Sequence, residues 1–212
     1  MSHPEHTIYE RPSIYCTDAI NFLGGSMTYS SFGRRLGAYL IDFLLLSPLF
    51  ALQIWASGHS ISMAILSAVL VSVAFIGYRV YCHAIWGQTV GKRVAKLRVV
   101  RLSGEAIGWR ESLLRSSVEM LFTGLTLIAQ LIALTTIPAT EFTGLDAVQR
   151  ESNLQVYTPA WSGYVITLSG FWYIASLITL FVNDQRRTLH DFIAGTVVAG
   201  AEAVPSAPTV AT

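Results

Sequence analysis

An all-α membrane protein, with four transmembrane helices and a small cytoplasmic β-hairpin or amphipathic element, is the fold class this sequence predicts. Three observations predict it. The 212-residue chain is 52% hydrophobic and only 13% charged, where an ordinary soluble domain carries about 25% charged residues. Its mean hydropathy is +0.50. Four stretches reach the roughly 20 apolar residues that a helix needs to cross about 30 Å of hydrocarbon. The basic clusters lie beside the ends of those stretches, all on one side of a four-span arrangement.

The first expected span runs from Leu36 to Ala56, with Asp42 and Pro48 inside it. Pro48 removes a backbone donor and is expected to kink the helix, which neighbouring helices can accommodate. The second runs from Ile61 to Ile85 and contains Arg79. Its Ser60, Ala64, Ala68 and Ser72 recur every four residues, a small-residue stripe that lets another helix, or a second copy, approach closely. The third runs from Leu113 to Ile137, with Arg115 and Glu119 near its start, and Pro138 closes it. The fourth, Trp161 to Val182, has no charge and follows Pro159. Trp55, Trp86, Trp109 and Trp161 fall at span ends, where an amphipathic ring prefers to lie; Trp172 is mid-span and is expected to pack.

Loop charges predict the orientation. Arg34 and Arg35 precede the first span, and Arg186 and Arg187 follow the fourth. Lys92, Arg93, Lys96, Arg98, Arg101 and Arg110 separate the second from the third. The other two connections carry only Arg150, against Glu141, Asp146 and Glu151. Basic loops stay on the cytoplasmic side, so both termini are expected there. Residues 1–31 read as an N-terminal cytoplasmic segment, 32–200 as the four-helix domain, and 201–212 as a disordered tail. The N-terminus has neither the basic nor the apolar region of a cleaved signal. Cys16 and Cys82 lie far apart, which argues against a disulfide and a metal site.

In the cytoplasmic stretch from Trp86 to Arg110, Thr89 is placed to cap a short helix through Lys92 to Ala95. Leu97 to Leu102 is β-prone and ends at the Ser103-Gly104 turn signal, so a small hairpin is expected, with Thr196 to Val198 as a further pairing strand. Gly87 to Lys92 is one residue short of a phosphate loop and lacks its Ser or Thr. The net charge of +1 also argues against nucleic acid, whose phosphates need a concentrated positive face. The basic face of Lys92, Arg93, Lys96, Arg98 and Arg101 is expected to meet anionic headgroups. Leu189, Phe192 and Ile193 share a face suited to the membrane interface, and His190 is expected on a solvated one. In the connection from Pro138 to Ala160, Phe142, Leu145 and Val148 are expected on the outer membrane surface. Tyr78, Tyr81, Cys82 and His83 crowd the end of the second span but match no catalytic spacing, so neither an enzyme nor a cofactor is expected.

The intramembrane charges are the candidate functional residues. An unpaired ionised group in hydrocarbon costs about 3 to more than about 10 kcal/mol. At 1.5 Å per residue, Asp42 and Arg79 lie about 10 Å and Glu119 about 13 Å from the cytoplasmic edge. Three helices thus place both signs in one layer. Two readings stand side by side. Asp42–Arg79 and Arg115–Glu119 form static pairs that fix helix register, or Asp42 or Glu119 exchanges protons or a cation in a wet cavity.

Three segments, RRLGAYLID, GQTVGKRVAKLRVV and RRTLHDFIAGTVV, occur in this order. They resemble the signatures of the RDD family of small integral membrane proteins, over about Phe32 to Gly200. The resemblance places the family's Arg at Arg35, with Arg34 just before it, and its two Asp at Asp42 and Asp191. It implies a transport role, with cation/proton antiport proposed for some members, and brings no cofactor or enzymatic reaction. The expectation is a bacterial-type inner-membrane protein acting in or alongside transport of a small ion or solute, Asp42 being the ion-contacting group, tuned by Arg35. Asp191 would tie the C-terminal segment to Lys92 or Arg93. A path through four short helices implies a homo-oligomer. The rival expectation is a scaffold or assembly factor that docks a cytoplasmic partner on the basic face.

Overall fold

The computed structural model describes residues 29–201. The expectations for the N-terminal segment before Tyr29, for Cys16 and for a disordered tail beyond residue 201 fall outside the described residues.

Four long helices form as expected: α1 (Phe32–Ser57), α2 (Ile61–Trp86), α4 (Trp109–Thr136) and α6 (Trp161–Val182). Each is long and apolar enough to cross a membrane. Between them lie a short α3 (Val90–Val94), strand β1 (Leu97–Arg101) and α5 (Ala147–Tyr157). The last described elements are α7 (Leu189–Ala194) and strand β2 (Thr196–Gly200). Local chemistry sets the boundaries. Ser60 caps α2, its hydroxyl accepting from Met63 N at 3.2 Å, and Gly87 ends it in the left-handed region. Thr89 caps α3 as anticipated, and Asp146 caps α5 through Val148 N and Gln149 N, both at 2.9 Å. Unfilled N–H groups at a helix start make such acceptors stabilising, by about 1 kcal/mol each.

α1 packs on α2, α2 on α4, and α4 on α6. Between α2 and α4, buried Ala64 joins Ala133 and Leu134, and Ala68 is also buried, so the small-residue stripe serves internal helix packing. The connection after α4 is not a bare loop. It turns through Ala139–Glu141 into α5, which caps this end of the bundle. Phe142 is therefore buried against Leu134, Ile137 and Leu154, not spread on the outer surface; Val148 is exposed as expected.

At the opposite, basic end the short elements form a second cap. β1 and β2 pair antiparallel, from Leu97 opposite Gly200 to Arg101 opposite Thr196. The expected hairpin partner of β1 is reduced to a single bridge, Val100 to Ala106, and the distant segment at Thr196 supplies the strand. One face of this two-stranded sheet packs with Ala38 of α1 and Ile107, through Leu97, Val99 and Val198. The sheet thus holds α1, the basic connection and the C-terminal segment together beneath the four helices.

Candidate functional site

Asp191 anchors the basic-end cap. It is fully buried at the start of α7, where its carboxylate accepts from Thr188 N at 2.9 Å and Thr188 Oγ1 at 2.8 Å in a capping box. Arg115 of α4 pairs with its Oδ1, and Arg35 of α1 reaches its Oδ2 at 3.3 Å. Thr196 Oγ1 donates to Oδ1 at 3.3 Å. Arg35 spends its other donors on Ser30 Oγ at 2.6 Å and the Arg186 carbonyl at 2.6 Å. Burial raises the pKa of Asp191, but Arg115, Arg35 and the Thr188 N–H overcome that and hold the carboxyl below the usual carboxylate range. Five contacts, two of them from guanidiniums, make this an ionised tie between α1, α4 and the C-terminal segment.

Asp42 has different company. Its Oδ1 accepts from Tyr78 OH at 2.6 Å and from Gly91 N at 2.7 Å, and its Oδ2 from Thr89 Oγ1 at 2.6 Å. A carboxylate has about four acceptor positions, so one remains. Tyr78 OH in turn accepts from Val90 N at 3.0 Å. α3 is thereby laid against α1, so closely that a Cβ on Gly91 would stand 2.0 Å from the Ala38 carbonyl oxygen. Only glycine fits there.

A cavity of about 350 Å³ opens beside this carboxylate. Asp42, Tyr78, Arg79, His83, Thr89 and Lys92 supply its polar lining, and Phe43, Leu46, Phe50 and Phe75 its apolar lining. Phe50 and Phe75 of that lining have ring centroids 6.3 Å apart. Arg79 pairs across to Glu119 on α4. Lys92 is buried, with Nζ 2.7 Å from His83 Nε2, while His83 Nδ1 lies 2.8 Å from the Arg79 carbonyl. A carbonyl can only accept, so Nδ1 carries the proton and Nε2 accepts from Lys92.

The charges expected to share a layer are paired, but with different partners from those expected. Arg79 takes Glu119 instead of Asp42, and Arg115 takes Asp191 instead of Glu119. Arg35 does not reach Asp42; its guanidinium turns to Asp191 and the C-terminal segment. Asp191 is held by these two arginines, not by Lys92 or Arg93. The cause is α7, which folds back beneath the helices and brings a third carboxylate that a count along the spans does not include. Of the basic face, Arg93 and Lys96 are exposed, Arg98 and Arg101 are half-buried, and Lys92 is inside. Arg101 meets Glu105 at 3.1 Å and Glu111 at 3.0 Å. His190 is not solvated: its Nε2 accepts from Trp172 Nε1 at 3.1 Å, and burial first, then Arg115 and Arg79, lower its pKa to about 4. Phe192 and Ile193 are exposed, as an interfacial face requires. The cavity itself, the Lys92–His83 contact and the Asp42–Tyr78–Thr89 set were not anticipated. Thr89 at a cap position and the Tyr78–His83 crowding were the traces of them in the sequence.

Comparison with known proteins bears on the same residues. The model of the RDD family matches residues 29–195, which include Arg35, Asp42 and Asp191. The chain is 27% identical over 171 residues to a Bacillus subtilis (strain 168) protein called uncharacterized protein YckC, covering 80% of this chain and 83% of that one. No solved structure matches it.

Proposed function

The chain belongs to the RDD family of membrane proteins, and from that premise we propose that it exchanges a small cation for protons across a bacterial inner membrane, through the cavity at Asp42. The observation that carries this reading is the cavity: a half-buried carboxylate with acceptor capacity to spare, beside about 350 Å³ of space. Arg79 pairs with Glu119, and Arg35 and Arg115 share Asp191, so that of the three acids of this layer Asp42 is the one bonded by neutral donors. Its carboxylate lines the cavity, where a cation can reach it. Lys92 and Thr89 of the lining belong to the basic connection, taken in this reading as cytoplasmic, and the Phe50–Phe75 ring pair is in this reading the constriction toward the far side. Alternating access needs such a constriction to open, and a second copy of the chain is the natural means to complete a path that four short helices do not enclose. Neither a catalytic step nor a cofactor enters this reading.

The three hydrogen bonds that Asp42 accepts favour a second reading, in which it is a latch for α3 and the protein is a scaffold whose exposed Arg93 and Lys96 meet headgroups or a soluble partner. One experiment separates the two. A pH-gradient dye is followed in proteoliposomes as Na⁺, K⁺ or Li⁺ is added, with wild type and Asp42→Asn reconstituted in equal folded amounts. Exchange predicts cation-driven dequenching that disappears in Asp42→Asn. Dequenching equal in both proteins removes Asp42 from the path, and a silent wild type points to the scaffold.

A further inference from the structure

We infer that the buried pair Lys92–His83 is the proton-binding site of this cavity. The inference deepens the exchange reading, since it names the group that carries the proton, and a different measurement tests it.

The first support is geometric. Lys92 and His83 both line the cavity that Asp42 lines, so water or an ion in that space reaches all three. Lys92 Nζ lies 2.7 Å from His83 Nε2, and no other hydrogen-bond partner of Nζ is found among the described residues. A buried ammonium is ordinarily matched by a carboxylate; this one has an imidazole, whose Nδ1 proton is taken by the Arg79 carbonyl and whose Nε2 faces Nζ.

The second support is the charge around it. α1 presents Arg35, Asp42 and Tyr39, and α2 presents Arg79, Tyr78 and His83. α4 presents Arg115 and Glu119, and α7 presents Asp191. Arg35, Arg79 and Arg115 balance Asp42, Glu119 and Asp191, three against three. Arg187, buried against the Thr196 and Asp191 carbonyls, adds a further positive charge. A charged Lys92 is thus surplus in a low-dielectric space where like charges repel strongly. Burial first, then Arg115 and Arg79, lower its pKa well below that of an ordinary lysine, with Asp191 opposing them.

The step is simple. The Lys92 ammonium gives one proton to water in the cavity and becomes an amine, whose remaining N–H still donates to His83 Nε2. Uptake is the reverse, and His83 keeps its own proton throughout. A cation held near Asp42 adds positive charge to the same cavity and favours the amine, so cation entry and proton release are linked reciprocally.

The chain has two lysines, Lys92 and Lys96. Lysine labelled with ¹³C at Cε therefore gives two NMR signals in the intact protein in lipid nanodiscs, and Lys96→Arg assigns them. The expected result is a Lys92 titration far below the ordinary lysine value of about 10.4, moved lower still when Na⁺ or K⁺ replaces N-methylglucamine. A low titration that no cation moves supports the proton site and contradicts the cation exchange. Titration in the ordinary lysine range overturns the proposal, and leaves exchange at Asp42 to be decided by the flux measurement.

Discussion

Two aspartates that look alike in the sequence do different work. Asp191 is enclosed by two guanidiniums and a capping box, whereas Asp42 takes only neutral donors and faces a cavity. Asp191→Asn leaves Arg35 and Arg115 buried without their charge partner, and removing one member of a buried pair costs about 3–5 kcal/mol. A large fall in melting temperature and in folded yield is expected, with Asp42→Asn milder on both. The pH dependence follows from the shifts. The Asp191 pKa is lower folded than unfolded, so its contribution is full above about 4 and is lost as pH falls further. His190 is neutral folded, with its pKa down to about 4, and the unfolded chain takes up a proton first, near about 6.5. Its stabilisation is therefore complete above that value and lost between the two, and His190→Gln should flatten thermal stability across that window. That Arg79 and Glu119 stand level on neighbouring helices follows from counting residues along the sequence. Which charges pair does not, because depth says nothing of rotation about a helix axis, and Asp191 lies outside the spans.

The long helices were legible because about 20 apolar residues in a row have few other uses. Their ends were marked by tryptophans, Ser60 and Gly87. The short elements were only partly so. Thr89 announced α3, but the pairing of β1 with β2 joins segments about 100 residues apart, and α5 carries too little apolar surface to stand out in a polar connection. The seat of α3 on α1 rests on one missing side chain. Gly91→Ala puts a methyl 2.0 Å from the Ala38 carbonyl oxygen and 2.9 Å from the Asp42 carboxylate. Backbone cannot yield as a flexible side chain does, so α3 must lift and break the Gly91–Asp42 hydrogen bond. A loss of at least about 1–3 kcal/mol, the usual cost of overpacking, is expected in a denaturation series, together with faster amide exchange over Val90–Val94. Unchanged exchange there would mean that α3 is not held by this contact.

At the scale of the whole molecule, α1 packs on α2, α2 on α4 and α4 on α6, Phe32 of α1 meets Phe181 of α6, and a sheet and Asp191 tie the basic end. The four helices, the basic end and the family were legible, since apolar runs, charge bias and three signature segments are properties of the chain's order. The cavity was not, because it is space left between α1 and α2 after they pack. Exchange requires that this space hold water, whereas a purely structural protein would leave it to lipid chains. The measurement that decides is accessibility to a charged, membrane-impermeant thiol reagent, with Cys16 and Cys82 first replaced by alanine. Leu46 lines the cavity and is 8% exposed, while Leu44, two residues away, is 68% exposed on the helix surface. A wet cavity predicts that Leu46→Cys reacts with reagent added from the basic side and Leu44→Cys does not. Two equally unreactive cysteines would show the space to be dry, and would contradict an ion path through it.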